Sequence, residues 1–214
     1  MLVNGRELWA WRRWAVSLAK LHQIEEREID WLLQSTADLD RLTLRLESIG
    51  DAESIELEMS LDRLSALWLD RVERNCPVQY LVGKTFWREF ELVVSPAVLI
   101  PRPETELTID IALSKSNRTQ QQGIWVDLGT GSGAIAIGLA TTMPTAEIHA
   151  VDCSAAALEI AQINATRIAV SDRIQFHHGS WWSPLPQLQG KVADRKSTRL
   201  NSSHSTLSRM PSSA

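Results

Sequence analysis

The seven residues Asp127-Leu128-Gly129-Thr130-Gly131-Ser132-Gly133 constrain the fold more than any other part of the chain. Before them, Ile124, Trp125 and Val126 form a short apolar run, the pattern of a buried strand. After them, Ala134-Ile135-Ala136-Ile137-Gly138-Leu139-Ala140 reads as a tightly packed helix. A glycine-rich turn between strand and helix lets a ligand lie against bare backbone, beside the free N–H groups of the helix N-terminus. The segment therefore predicts a parallel α/β unit with a nucleotide-type cofactor site.

The glycines alone leave the nucleotide open, because Gly129, Gly131 and Ala134 also satisfy the dinucleotide fingerprint G-x-G-x-x-G/A. Asp127 separates the possibilities. A pyrophosphate brings negative charge to such a turn and a nearby carboxylate repels it, whereas S-adenosylmethionine brings a cationic sulfonium and ammonium. Asp152 ends the next apolar strand, where a carboxylate accepts both hydroxyls of a ribose. The plainer alternative is that Asp127 and Asp152 only cap helices. The flanks and spacing favour S-adenosylmethionine as cofactor, with Asp127, Gly129, Thr130, Gly131, Ser132, Gly133 and Asp152 as its candidate binding residues.

The chain has 214 residues, enough for one large or two small domains. Its 22 basic residues against 26 acidic ones give a net charge of -4, which argues against nucleic-acid binding through bulk charge. Cys76 and Cys153 lack metal-type spacing and suit a reducing compartment. No apolar run approaches the roughly 20 residues that span a bilayer, and the N-terminus shows no signal-peptide core. These features predict a cytoplasmic protein with no membrane partner.

Residues 1 to about 75 read as entirely helical. Leu8, Trp11, Ala15 and Leu18 share one face, Ile29, Leu32 and Leu33 another, and Leu57, Leu61, Leu64, Trp68 and Val72 a third. Asn75 and Pro77 stop the last helix. Arg12, Arg13 and Lys20 form either a solvated face or a partner patch. From about 78 to 106 apolar residues alternate: Phe86, Phe90, Leu92 and Val94, then Val98, Leu99 and Ile100. Ser95-Pro96 between the two runs predicts a hairpin. It leads into Arg102, Pro103, Glu104, Thr105 and Glu106, more charge and rigidity than a helix start needs, and so a candidate wall or lid of the active site. Strands near 124–128, 146–151 and 173–177 then alternate with helices near 132–141 and 154–168. Trp181, just past the third strand, is placed either to stack on an adenine ring or to cover the sheet edge. His177 and His178 point opposite ways in a strand, and no metal site is read from them.

These pieces resemble the release factor glutamine methyltransferases. The matching residues are Pro77-Val78-Gln79-Tyr80-Leu81-Val82-Gly83, Phe90-Glu91-Leu92-Val93, Leu99 through Glu106, Asp127 to Gly133, and Asp152. The resemblance runs from about residue 5 to 194. It implies an α/β chain: an N-terminal helical bundle for substrate recognition over residues 1–76, a linking hairpin over 77–106, and an incomplete class I, Rossmann-like methyltransferase domain over 107–194. It further implies that Gly129 to Gly133 cradle the methionine part of S-adenosylmethionine, that Asp152 holds the ribose and that Trp181 contacts the adenine side. The family's substrate is the glutamine side-chain amide in the Gly-Gly-Gln motif of peptide chain release factors, its partners. An amide nitrogen is a poor nucleophile, and the family holds its N–H groups with an Asn-Pro-Pro-Tyr motif after the fourth strand.

The chain departs from this pattern at its end. Gly190 to Asp194 looks like the approach to the fourth strand, yet no Asn-Pro-Pro-Tyr follows, so no catalytic residue is assigned. Nine of the last 20 residues are Ser or Thr, four are basic and none is acidic. Residues 195–214 therefore read as a disordered, non-native tail resembling translated adapter sequence, on a chain expected to be inactive. Without a fourth strand, the strand carrying Asp127 is expected to be an open edge with one face uncovered, and the chain to be unstable. Three other readings stand beside this one: a nucleobase amino-methyltransferase with a similar motif, a non-catalytic module that docks on release factor, and a nicotinamide oxidoreductase, which Asp127 disfavours.

Overall fold

The computed structural model describes residues 1–188, apart from 38, 40, 46 and 47. The expected approach to a fourth strand and the Ser-rich tail lie outside the described residues.

The N-terminal part is helical, as its periodicity predicts, with one difference. A short antiparallel pair, β1 (Leu2–Val3) and β2 (Ile55–Glu56), staples its two ends together. The Met1 ammonium donates to Leu57 O and the Leu57 N–H to Met1 O, bonds between distant residues that no local pattern announces. Between them run α1 (Gly5–Leu21), α2 (Arg27–Thr36) and α3 (Arg41–Arg45), and after them α4 (Leu61–Arg74). Asn4 and Ser60 cap α1 and α4 with their side chains, and Asn75 ends α4 in the left-handed conformation. Leu8, Trp11, Ala15, Ile29, Leu32, Leu33, Leu64 and Trp68 meet in one buried core. Arg12 pairs with Asp30 and lies over the Trp9 ring, and Lys20 pairs with Glu26. Arg12 and Lys20 are thus held in two separate pairs.

After Pro77 comes α5 (Val78–Val82), a turn of helix that the sequence reading does not foresee. The hairpin that follows differs from expectation in where it turns. Its strands are β3 (Lys84–Trp87) and β4 (Phe90–Val93), joined through Arg88 and Glu89, and Val98 to Ile100 is not a strand. Arg88 takes a left-handed φ of 52°. Tertiary bonds hold it there: its N–H donates to Glu106 Oε1 and its guanidinium to Glu106 O and Asp110 Oδ1. Ser95-Pro96 instead turns the chain so that Val94 and Val98 pack on Ala157 and Ile160.

A 3-10 turn at Pro103–Thr105 then leads into α6 (Glu106–Lys115) and the short α7 (Arg118–Gln121). The α/β unit follows as β5 (Ile124–Leu128), α8 (Ala134–Thr142), β6 (Glu147–Asp152), α9 (Ala155–Arg167) and β7 (Ile174–His178). The three strands are parallel in the order β5-β6-β7, with Leu128 opposite Val151 and Asp152 opposite His178. Among the described residues β5 is an end strand. Its Ile124, Val126 and Leu128 face is partly covered by Leu185 and Leu188, so that face is less bare than the sequence reading expects.

Helix α8 sits on the other face, and its small residues permit close contact from two sides. A Cβ on Gly138 would stand 3.0 Å from Ile109 of α6 and 3.3 Å from Trp87 of the hairpin. Gly138→Val should therefore overpack this junction and cost about 1–3 kcal/mol. Chemical denaturation of the variant checks this, and an unchanged midpoint would refute the packing account.

Candidate cofactor site

The glycine loop lies at the C-terminal ends of β5 and β6, where ligands bind in open parallel sheets. Two backbone bonds anchor it, from Gly129 N and Thr130 N to Val151 O. Gly129 and Gly131 have φ of 79° and 55°, and a Cβ on either would meet nothing within 4 Å. The outer side of the loop is thus open space bordered by backbone. The inner side is closed, because a Cβ on Gly133 would stand 3.1 Å from that of Ala161 on α9.

Two carboxylates hold this shape. Asp127 is buried, and its Oδ2 accepts from the Thr130 hydroxyl at 2.7 Å and from the Ala136 N–H at 3.2 Å. It therefore both caps α8 and fixes the loop from below. Burial pushes its carboxyl above the usual range, the Thr130 and Ala136 bonds pull it back, and the nearby Asp152 charge adds to the rise. Asp152 uses both oxygens on backbone: Oδ2 accepts from Gly131 N at 2.9 Å and Oδ1 from Ser154 N at 2.9 Å. Each oxygen keeps a second lone pair for a further donor, as a ribose diol requires. A loop of open backbone over two carboxylates suits a cationic nucleoside ligand such as S-adenosylmethionine.

The other sequence-predicted residues are placed as follows. Gly179 N donates to Asp152 O at 3.0 Å, so the segment after β7 starts beside Asp152. Trp181 follows it with a left-handed φ of 51°, and the residue is 51% exposed. Arg102, Pro103 and Glu104 are exposed, whereas Thr105 is buried. The Trp87 indole N–H donates to both Arg102 O and Thr105 Oγ1, which fixes the backbone of that segment. Tyr80 adds a second anchor through its hydroxyl to Val98 O at 2.7 Å.

Asn164 of α9 is the residue that sequence reasoning misses. It is fully buried, and its side-chain amide bonds both β4 and the Ser132 carbonyl of the glycine loop. The available signal was a polar residue in the otherwise apolar stripe of Ala157, Leu158, Ala161 and Ala165.

The comparisons agree with this geometry. A profile described as a methyltransferase domain matches residues 120–200. A release factor glutamine methyltransferase from Synechocystis sp. is 53% identical over 196 residues, 89% of this chain and 64% of that protein. One from Thermosynechococcus vestitus is 43% identical over 192 residues, again 89% of this chain and 65% of the relative. The chain thus spans a little under two thirds of the length of the relatives it matches most fully. A solved RNA methyltransferase from Salinibacter ruber, with S-adenosyl-L-homocysteine, shares 24% identity over 40% of this chain and 52% of its own, at a TM-score of 0.34. That superposition is too loose to define the fold, which rests here on strand order and sequence. Loop, strand order and matching profile define the class, an S-adenosylmethionine-dependent methyltransferase domain of Rossmann-like α/β type. Within that class the chain is a homologue of the release factor glutamine methyltransferases.

A polar chain crosses the opposite face of the sheet, away from the loop. His149 Nδ1 lies 2.9 Å from His177 Nε2, and His149 Nε2 lies 3.0 Å from Glu147 Oε1. The carboxylate requires a proton on His149 Nε2, which leaves Nδ1 to accept from His177. Burial lowers the His177 pKa from about 6.5, and His149 lowers it further. Among the described residues no group of three ligating side chains gathers around the pair. Below pH about 6.5 the unfolded chain takes up a proton that the folded His177 resists. Stability should therefore fall as pH drops below that value, and His177→Gln should flatten the fall. Urea titrations of both proteins from pH 8 to 5 measure it, and identical slopes would sink the assignment.

Proposed function

We propose that this chain is the donor-binding part of an enzyme that methylates the side-chain amide nitrogen of the glutamine in the Gly-Gly-Gln motif of peptide chain release factors, in the cytoplasm. The reading is carried by one combination. The open glycine loop, tied to Asp152, lies in a chain similar over 89% of its length to a release factor glutamine methyltransferase.

S-adenosylmethionine supplies, when bound, a methyl group on a cationic sulfur. The backbone of Gly129, Thr130, Gly131, Ser132 and Gly133 borders its methionine part, with Asp127 holding the loop beneath. Asp152 accepts from the ribose hydroxyls, and Trp181 lies toward the adenine. Arg102, Pro103, Glu104 and Thr105 form the wall between this pocket and the protein substrate. Residues 1–76 serve substrate recognition, 77–106 link the two parts, and 107–194 belong to the methyltransferase domain.

The 214 residues contain no Asn-Pro-Pro-Tyr, so they lack the acceptors that would turn the amide lone pair toward the methyl group. These residues by themselves are proposed to bind the donor without transferring its methyl group.

Calorimetric titration with S-adenosyl-L-homocysteine should show binding by the chain, and titration with NADH should show none. Asp152→Ala should weaken S-adenosyl-L-homocysteine binding at least about tenfold, since it removes a ribose acceptor and the Gly131 clamp together. Incubation of the chain with labelled S-adenosylmethionine and a release factor should leave the factor unlabelled. Binding of NADH instead would overturn the donor assignment, and labelling of the factor would overturn the proposed inactivity.

A further inference from the structure

Strand β4 has two edges. One pairs with β3, and along the other the Val93 N–H and C=O point toward α9. A strand edge facing the protein interior requires partners, since unpaired buried peptide groups are costly. The Asn164 side chain supplies them. Its Oδ1 accepts from Val93 N at 2.7 Å and its Nδ2 donates to Val93 O at 3.0 Å, as a neighbouring strand's peptide group would. The second Nδ2 proton goes to Ser132 O at 2.9 Å, inside the glycine loop. One fully buried amide thus joins three elements: the hairpin, α9 and the cofactor loop.

The nearest alternatives to Asn each fail here. Asp offers no donor for Val93 O or Ser132 O and sets a carboxylate against both carbonyls. Gln carries the same amide one methylene farther from the helix, out of register with the three groups that Asn164 meets. Leu fills the volume and leaves three peptide groups unpaired.

We propose that Asn164 is a positioning residue that couples the hairpin to the donor-binding loop, so that the strand leading to the Arg102–Thr105 wall and the donor pocket are set by the same side chain. The proposal rests on the reading of the glycine loop as the donor site. It adds a route by which the substrate-facing hairpin and the donor loop report to each other. Coupling of this kind is reciprocal: donor-site occupancy must tighten the Val93 bonds as much as those bonds tighten the loop.

The first test uses the unaltered 214-residue chain and amide hydrogen exchange with and without S-adenosyl-L-homocysteine. Protection should rise at Gly131 to Ala136 and also at Val93, and by more than at Leu33 in the N-terminal core. Protection of the loop with Val93 changing no more than Leu33 would overturn the coupling. Absence of any S-adenosyl-L-homocysteine binding by the unaltered chain would instead overturn the donor-site reading.

The second test compares Asn164→Ala with Leu33→Ala, a buried change in the N-terminal core. Both should lower the melting temperature. At a temperature where both are folded, Asn164→Ala should weaken S-adenosyl-L-homocysteine binding at least about tenfold, with Leu33→Ala near the parent value. Equal affinities in the two variants would mean that Asn164 serves stability alone.

Discussion

The arrangement of the site depends on backbone N–H groups being held by two carboxylates. Gly131 and Ser154 donate to Asp152, and Ala136 donates to Asp127, which also takes the Thr130 hydroxyl. Without these bonds the loop would be a flexible run of glycines, costly to order when a ligand arrived. With them, the entropy of ordering is met during folding, and the open side of Gly129 and Gly131 is ready for contact. Carboxylates at this place suit a sulfonium and an ammonium better than a pyrophosphate, so on the proposed reading one set of interactions both shapes the loop and bears on the class of ligand.

The remaining elements are fastened to this loop from three directions. Ile109 and Trp87 close on Gly138, which fixes α8 and hence the helix end beneath the loop. Asn164 ties β4 to Ser132. Trp87 also reaches Arg102 and Thr105 through its indole N–H, so the residue that seats the hairpin on α8 sets the backbone of that segment as well. The N-terminal core is joined to this assembly through α5, whose Tyr80 hydroxyl holds Val98.

The parts legible in the sequence are those whose cause is local. The strand, loop and helix around Asp127 are specified by residues within a few positions of each other, and β5, α8, β6, α9 and β7 fall within two residues of the ranges read from periodicity. The hairpin turn was misplaced because Arg88 and Glu89 carry no turn signal. Arg88 reaches a left-handed conformation only because Glu106 and Asp110, about twenty positions on, bind it. The β1–β2 staple and the triple role of Asn164 are hidden for the same reason, since each rests on bonds between residues more than thirty positions apart. The sequence marks Asp127 and Asp152 as candidates, but not their use as acceptors for the loop's own backbone. The helix-capping alternative is borne out at Asp127, which accepts from the Ala136 N–H of α8 and also holds the loop through the Thr130 hydroxyl.

That double use has an electrostatic consequence. Burial and the neighbouring Asp152 push the Asp127 carboxyl up, so its ionised form is held against a cost within the free protein. A cation in the pocket offsets part of that cost and a neutral ligand of the same shape offsets less. S-adenosylmethionine carries a positive charge on sulfur that S-adenosyl-L-homocysteine has lost. On the proposed reading of the loop as the donor site, the carboxylates that preorganise it would also favour the charged donor over its neutral product.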